Sequence, residues 1–302
     1  MSTGTLPVPG VSARPRVADL VRTGSRRRRL VDALMRLLSV LATLLILVPL
    51  VALVGYVIAN GLPWMDMEFL ASAPVDEVHG GALNAIVGSL QMVPLATLLA
   101  APIGILGGIY VAEIAGPRTA GGVRFAADVM VGLPSVVVGV FVYTVLVVPF
   151  HTYSAVAGVI SLAVIMIPVI VRSTEEILRL VPNAVREGGL ALGMPRWRAI
   201  TRVVLRAGLG GILTGVMLAV ARASGETAPL LLTALGSRLV NVGELNKPMD
   251  SLPTFIYTNS GQPSPVLVGQ AWAAALLLLV FVLVANVVAR VISGRRSSGG
   301  SR

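Results

Sequence analysis

The stretch ALNAIVGSLQMVPLATLLAAPIGILGGIYVA, residues 82–112, contains no Asp, Glu, Lys or Arg. A helix of about 18 or more such residues crosses a ~30 Å hydrocarbon core, so this segment alone places the chain in a membrane. Working outward, five further stretches qualify: 37–59, 129–150, 153–171, 207–236 and 271–289. Only Arg222 and Glu226 interrupt the fifth span, 207–236. The expected fold is therefore an all-α integral membrane protein of about six transmembrane helices. Pro94 and Pro102 predict a kink or interfacial turn in the second span, since membrane helices tolerate prolines where neighbours satisfy the freed backbone groups.

Composition agrees. Of 302 residues, 55% are hydrophobic and 13% charged, with a mean hydropathy of +0.87, whereas soluble domains carry roughly 25% charged residues. A soluble enzyme is excluded. The absence of cysteine removes disulfides, iron–sulfur clusters, thiolate zinc and cysteine nucleophiles, and two histidines, His79 and His151, make a poor metal site. The single lysine, Lys247, belongs to no G-x-x-x-x-G-K-[ST] loop, so the chain does not cradle a nucleotide in the P-loop manner. A membrane-embedded enzyme would need a cluster of nucleophile, base or metal ligands in its spans, which offer only Arg222 and Glu226.

The formal charge of +10 reads as topology, because short cytoplasmic loops collect Arg and Lys. Eight arginines precede residue 37, seven lie between Arg172 and Arg206, four follow Ala289, and Arg118 and Arg124 occupy the loop 116–125. The alternate loops, 60–81, 151–152 and 237–270, hold only Arg238 and Lys247, with Asp66, Glu68, Asp76, Glu77, Glu244 and Asp250. Both termini are thus expected on the cytoplasmic side. Without interleaved aromatics or a nucleic-acid fold, the basic runs do not predict nucleic-acid binding. Residues 1–29, rich in Pro, Gly, Ser and Arg, are expected to form a disordered basic cytoplasmic arm. Residues 30–293 are expected to form one transmembrane domain, and 294–302 a cytoplasmic tail.

The loop 172–206 is longer than a connection between two spans requires. Pro182 and Asn183 open a short helix, Gly193 ends it, and Pro195 starts a second amphipathic piece through Trp197, Ile200 and Val204. Gly188 and Gly189 inside the first helix each cost about 1 kcal/mol relative to alanine, which suggests close approach of another backbone. One reading is a helix-turn-helix resting on anionic headgroups; the other is a protein docking site.

On an uninterrupted helix, Gly211, Gly215, Ala219, Arg222 and Glu226 share one face. The small residues would admit a neighbouring helix, while Arg222 falls within the span, where a lone charge costs at least ~2.5 kcal/mol. Arg222 and Glu226 would then form either a self-neutralised packing pair or part of an anion pathway, where a guanidinium fork suits an oxyanion.

Glu187-Gly188-Gly189 followed by Gly193 resembles the EAA loop of ABC-importer permeases. That pattern is EAA, three residues, Gly, then after nine more residues I-x-LP. Gly188 and Gly189 replace the alanines, and Val203, Leu205 and Arg206 stand where Ile, Leu and Pro would be. The flanks are similar more narrowly to A-type (PstA-type) permease subunits of phosphate-specific ABC importers. They comprise Leu180-Val181-Pro182, Arg186-Glu187, Ala191-Leu192-Gly193-Met194-Pro195-Arg196-Trp197, the run from Ala219 through Arg222, Gly225-Glu226-Thr227-Ala228-Pro229 to Leu231, and Pro134-Ser135-Val136-Val137-Val138-Gly139. The likeness runs from about Ala82 to Ala289.

This resemblance implies a MetI-like permease architecture in a bacterial cell membrane. It also implies a second permease subunit (PstC type), two cytoplasmic ATPase subunits (PstB type) that bind the ATP, and an extracytoplasmic phosphate-binding protein (PstS type). No cofactor is expected in this chain. Glu187, Gly188, Gly189 and Gly193 would contact the ATPase, and Arg222, Glu226 and Thr227 would serve the substrate pathway. The alternative function is a stand-alone anion channel or proton-coupled oxyanion carrier, which would not need the long 172–206 loop.

Overall fold

The computed structural model describes residues 26–76 and 79–297, which are largely helical and include no strand. Two units are distinguishable, divided within the first helix between Tyr56 and Val57. The first is the stem of α1 (Arg26–Gly61), an apolar helix that passes through Pro49 without ending. Arg26, Arg27, Arg28 and Arg29, expected in the arm, are already helical here. Residues 1–25 of that arm lie outside the described residues.

The second unit contains, after the end of α1, α2 (Met67–Ala71), α3 (Leu83–Ile109), α4 (Pro117–Gly132), α5 (Ser135–Val142), α6 (Ala155–Leu180), α7 (Asn183–Ala191), α8 (Arg196–Ala199), α9 (Leu205–Ser224), α10 (Ala228–Thr233), α11 (Leu252–Ser260) and α12 (Pro265–Ser297). The end of α12 takes in residues 294–297, expected in the tail, and 298–302 lie outside the described residues. Three π-helical turns continue α3 (Tyr110–Ile114), α5 (Tyr143–Val147) and α8 (Ile200–Val204).

Five helices are long and apolar enough to cross a membrane, and a sixth span results if α4 and the helix beginning at Ser135 count as one. That third span is where the straight helix expected over 129–150 fails. The two halves meet at 99°, and the break falls at Leu133-Pro134, as a proline disfavours helical backbone in the residue before it. By contrast, Pro94 and Pro102 both lie inside an unbroken α3.

The core lies among α3, α6, α9 and α10, where Met92, Ala96, Ala100, Leu162, Met166, Ile170, Val216, Ala219 and Leu230 pack together. Without a hydrophobic drive between helices in lipid, close backbone approach through small residues supplies the contact. Gly104 and Gly108 of α3 leave no room for a Cβ against Ile170 and Thr174 of α6. Gly211 and Gly215 of α9 do the same against Ile177 and Ser173, so the small-residue face of α9 is filled from within this chain.

At the end of α3 that bears the acidic loops, polar side chains hold the 237–251 segment. Asn84 Nδ2 donates to Ser237 O (2.6 Å) and to Asp250 Oδ2 (3.2 Å), and Gln91 bonds both Asn241 O and the Gly243 N–H. Burial pushes the Asp250 carboxyl above its ordinary range, against hydrogen bonds from Thr254, the Ser251 N–H and Asn84 that pull it down.

Candidate functional site

Arg222 occupies the last turn of α9, where a cation complements the helix dipole. The helix stops at Ser224, with Gly225 as its C-cap. Glu226 is therefore not on the helical face expected for it; its N–H closes a tight turn onto Ala223 O at 3.2 Å. Thr227 follows as the N-cap of α10 and makes no side-chain cap hydrogen bond. Pro229 sits in the first turn of α10, as its fixed φ allows.

The geometry around Arg222 is loose. Its Nε stands 3.9 Å from Glu226 Oε1, and Nη2 donates to Val131 O at 3.5 Å. The Arg222 side chain is 40% exposed, against 15% for Glu226. Val131 O lies in the last turn of α4, where carbonyls lack intrahelical partners, just before the Leu133-Pro134 break. Two interrupted helices thus meet at one guanidinium: the α4/α5 break and the α9/α10 break. Pro229 of α10 rests on Gly139 of α5, leaving no room for a Cβ there. Of the five N–H donors of Arg222, two engage protein groups among the described residues, both at long range, and the others are free to grip a planar or tetrahedral oxyanion.

The segment 172–206, expected to be a loop, is shorter as a connection: residues 172–180 complete α6, and from Arg196 the chain runs through the π-turn into α9, because helical backbone continues past the first arginines. Between them the hairpin follows its punctuation. α7 follows Pro182, α8 follows Pro195, and Gly193 sits at φ 75° between them. Gly193 N–H bonds Leu190 O (2.9 Å) and Met194 N–H bonds Gly189 O (3.3 Å), the paired hydrogen bonds of a Schellman stop. The candidate docking residues now separate. A Cβ on Gly189 would lie 3.3 Å from Ala199 Cβ of α8, so this glycine serves the hairpin itself. Gly188 meets nothing within 4 Å and Glu187 is exposed, so both present an open face. Leu192 and Trp197 are exposed beside them, with the Arg198 guanidinium 5.1 Å from the Trp197 ring centre.

The sequence reading missed a charge cluster on this arginine-rich side. Glu175 of α6 is buried and receives Arg124 of α4 (2.5 Å), Arg172 (3.3 Å) and Arg179 (3.1 Å), while Arg172 also reaches Asp128 of α4 at 2.9 Å. Three guanidinia compensate one buried carboxylate, which would be strongly destabilising alone. The i, i+3 and i+4 spacing of Arg172, Glu175 and Arg179 was the available signal.

The family model described as "Binding-protein-dependent transport system inner membrane component" matches residues 104–298. A protein of Pasteurella multocida named "Phosphate transport system permease protein PstA" is 43% identical over 272 residues, covering 89% of this chain and 97% of its own length. A protein of the same name from Mycobacterium leprae is 36% identical, with coverages of 95% and 97%. Among solved structures, a bacterial ABC transporter for import of the acidic polysaccharide alginate aligns with TM-score 0.57 at 18% identity, covering 89% of this chain and 96% of that one. An inward-facing MetNI methionine ABC transporter aligns with TM-score 0.58 at 16% identity, covering 71% and 95%. A largely helical fold with apolar spans, shared with solved ABC transporters, together with a family match over most of the chain, leads to one conclusion: the chain belongs to the family of binding-protein-dependent transport system inner membrane components.

Proposed function

We propose that this chain is the permease subunit of an ATP-driven phosphate importer, lining half of the translocation pathway and docking a separate ATPase. The observation that carries the reading is Arg222, a weakly engaged guanidinium at the meeting point of two broken helices, in a chain whose relatives are named as phosphate permeases. Broken helices at a membrane site expose backbone groups that substrate can use. Arg222 attracts the oxyanion, the neutral Thr227 hydroxyl beside it can donate a hydrogen bond to it, and Glu226 offsets the positive charge so that the ion is released, as conduction requires.

The orientation follows the arginines, with both termini and the 172–206 hairpin cytoplasmic in a bacterial inner membrane. Glu187 and Gly188 face the ATPase, and Gly189 and Gly193 shape the hairpin that presents them. The partners are a PstC-type permease, two PstB-type ATPases holding the ATP, and a PstS-type phosphate-binding protein. Membership in a binding-protein-dependent family speaks against the stand-alone channel or proton-coupled carrier.

The test is ATP hydrolysis by the purified four-component complex. Phosphate-loaded binding protein should stimulate it several-fold, and sulfate added in place of phosphate should not; equal stimulation by both ions would refute the substrate assignment.

A further inference from the structure

Arg186 is a residue of α7 that the docking and pathway roles leave unused, and it makes more hydrogen bonds than any other guanidinium named above. Its Nη2 and Nε reach Glu113 Oε1 at 2.9 and 3.1 Å, and Nε reaches Oε2 at 3.4 Å. Nη1 donates to Val181 O (2.5 Å) and Asn183 Oδ1 (3.1 Å), and Nη2 to Leu178 O (2.6 Å). One side chain therefore ties α7 to the C-terminal end of α6 and to Glu113. From α8, Arg196 Nη2 adds a bond to Glu113 O at 2.7 Å. The Glu113 side chain is 8% exposed, so this carboxylate depends on its guanidinium partner.

Glu113 lies in the π-turn Tyr110–Ile114 that extends α3. Such turns are rare and concentrate at functional positions. From there α3 runs 27 residues, about 40 Å at 1.5 Å per residue, to Asn84, Ser89 and Gln91. Those three side chains hold Ser237, Leu252, Asn241 and Gly243 on the opposite face. A continuous rod is thus fastened at one end to the hairpin and at the other to the outer loop.

We infer that the Arg186–Glu113 link is the strut through which movement of the α7–α8 hairpin is delivered to α3 and so to the outer loop. Arg186 and Glu113 are positioning residues for ATP-driven transport, and this rests on the reading of the hairpin as the ATPase dock. A rigid element held at both ends is a physical route for such coupling. Docking and coupling then fall on different faces of α7: Gly188 and Glu187 outward, Arg186 inward.

The experiment compares Arg186→Met, Glu113→Ala and the double variant in the full reconstituted complex. It measures ATPase subunit content, basal ATP hydrolysis, and inorganic phosphate taken up per ATP hydrolysed. Subunit content and basal hydrolysis should stay normal, while phosphate per ATP falls at least about tenfold, within the usual range of coupling factors. The double variant should be no worse than either single, because both remove one link.

An unchanged ratio, an additive double variant, or uptake falling only in step with the amount of assembled complex would overturn the strut. Should Arg186→Met fail to accumulate, Arg186→Lys keeps the charge and loses the fork; it should lower the ratio at normal subunit content, and a wild-type ratio would likewise overturn the proposal. Gly188→Trp separates the two readings. If the ATPase is retained by that variant, the docking assignment fails; if it is shed while Arg186→Met and Glu113→Ala couple normally, only the strut fails.

Discussion

A charge within a membrane span must be compensated or used, and the loose contacts of Arg222 are the observation on which its proposed pathway role rests. A packing pair would be held at hydrogen-bond distance and covered, yet Nε is 3.9 Å from Glu226 and the Arg222 side chain is 40% exposed. A cation at a helix centre costs ~2.5 kcal/mol or more; Arg222, in the last turn of α9, bears less than that, and its place at the helix C-terminus offsets about 0.3–1 kcal/mol. These magnitudes decide a prediction. If Arg222 only balances Glu226, neutralising both should restore transport. If Arg222 holds the anion, Arg222→Gln should stop phosphate uptake with or without Glu226→Gln, while assembly, checked by copurification of the partner subunits, is largely spared. Normal uptake by the doubly neutral protein would sink the pathway role. Arg222→Lys should retain partial uptake, since attraction survives and the bidentate fork does not.

At the scale of elements, the hairpin α7–α8 was the most legible part of the chain because its signals are local. Pro182, Gly193 and Pro195 set its ends, and the backbone places them as the spacing requires. The α4/α5 break was not legible, although Pro134 marks it. Pro94, Pro102 and Pro168 stand in unbroken helices, and nothing in the residue type distinguishes them, because neighbouring helices decide whether a freed carbonyl is satisfied. Glu226 was misplaced for a related reason: the helix was extended through Gly225. The two glycines of α7 looked equivalent until α8 covered one of them. This yields a paired test. Gly189→Leu should push α8 away and destabilise the hairpin by about 1–3 kcal/mol, as overpacking does, seen as faster proteolysis between α6 and α9. Gly188→Leu should leave proteolysis unchanged and reduce ATPase copurification. The reverse pattern would contradict the assigned faces.

For the whole molecule, the same positive charges that carry topology also carry structure. Arg124, Arg172 and Arg179 close around Glu175, and Arg186 around Glu113, all on the side assigned to the cytoplasm, whereas Asp250 is fixed by α3 at the other. The absence of cysteine makes orientation easy to check. Cysteines introduced at Asp76 and Gly243 should react with an impermeant reagent from outside, and one at Glu187 only from inside; outside labelling of position 187 would overturn the topology. The most direct measurement of the central claim is accumulation of inorganic phosphate in proteoliposomes containing the complete complex, with binding protein and ATP each supplied on its proper side. Uptake that needs both and is abolished by Arg222→Gln with Glu226→Gln is the predicted result; uptake that proceeds without ATP or binding protein, or that survives in the doubly neutral protein, would contradict the account.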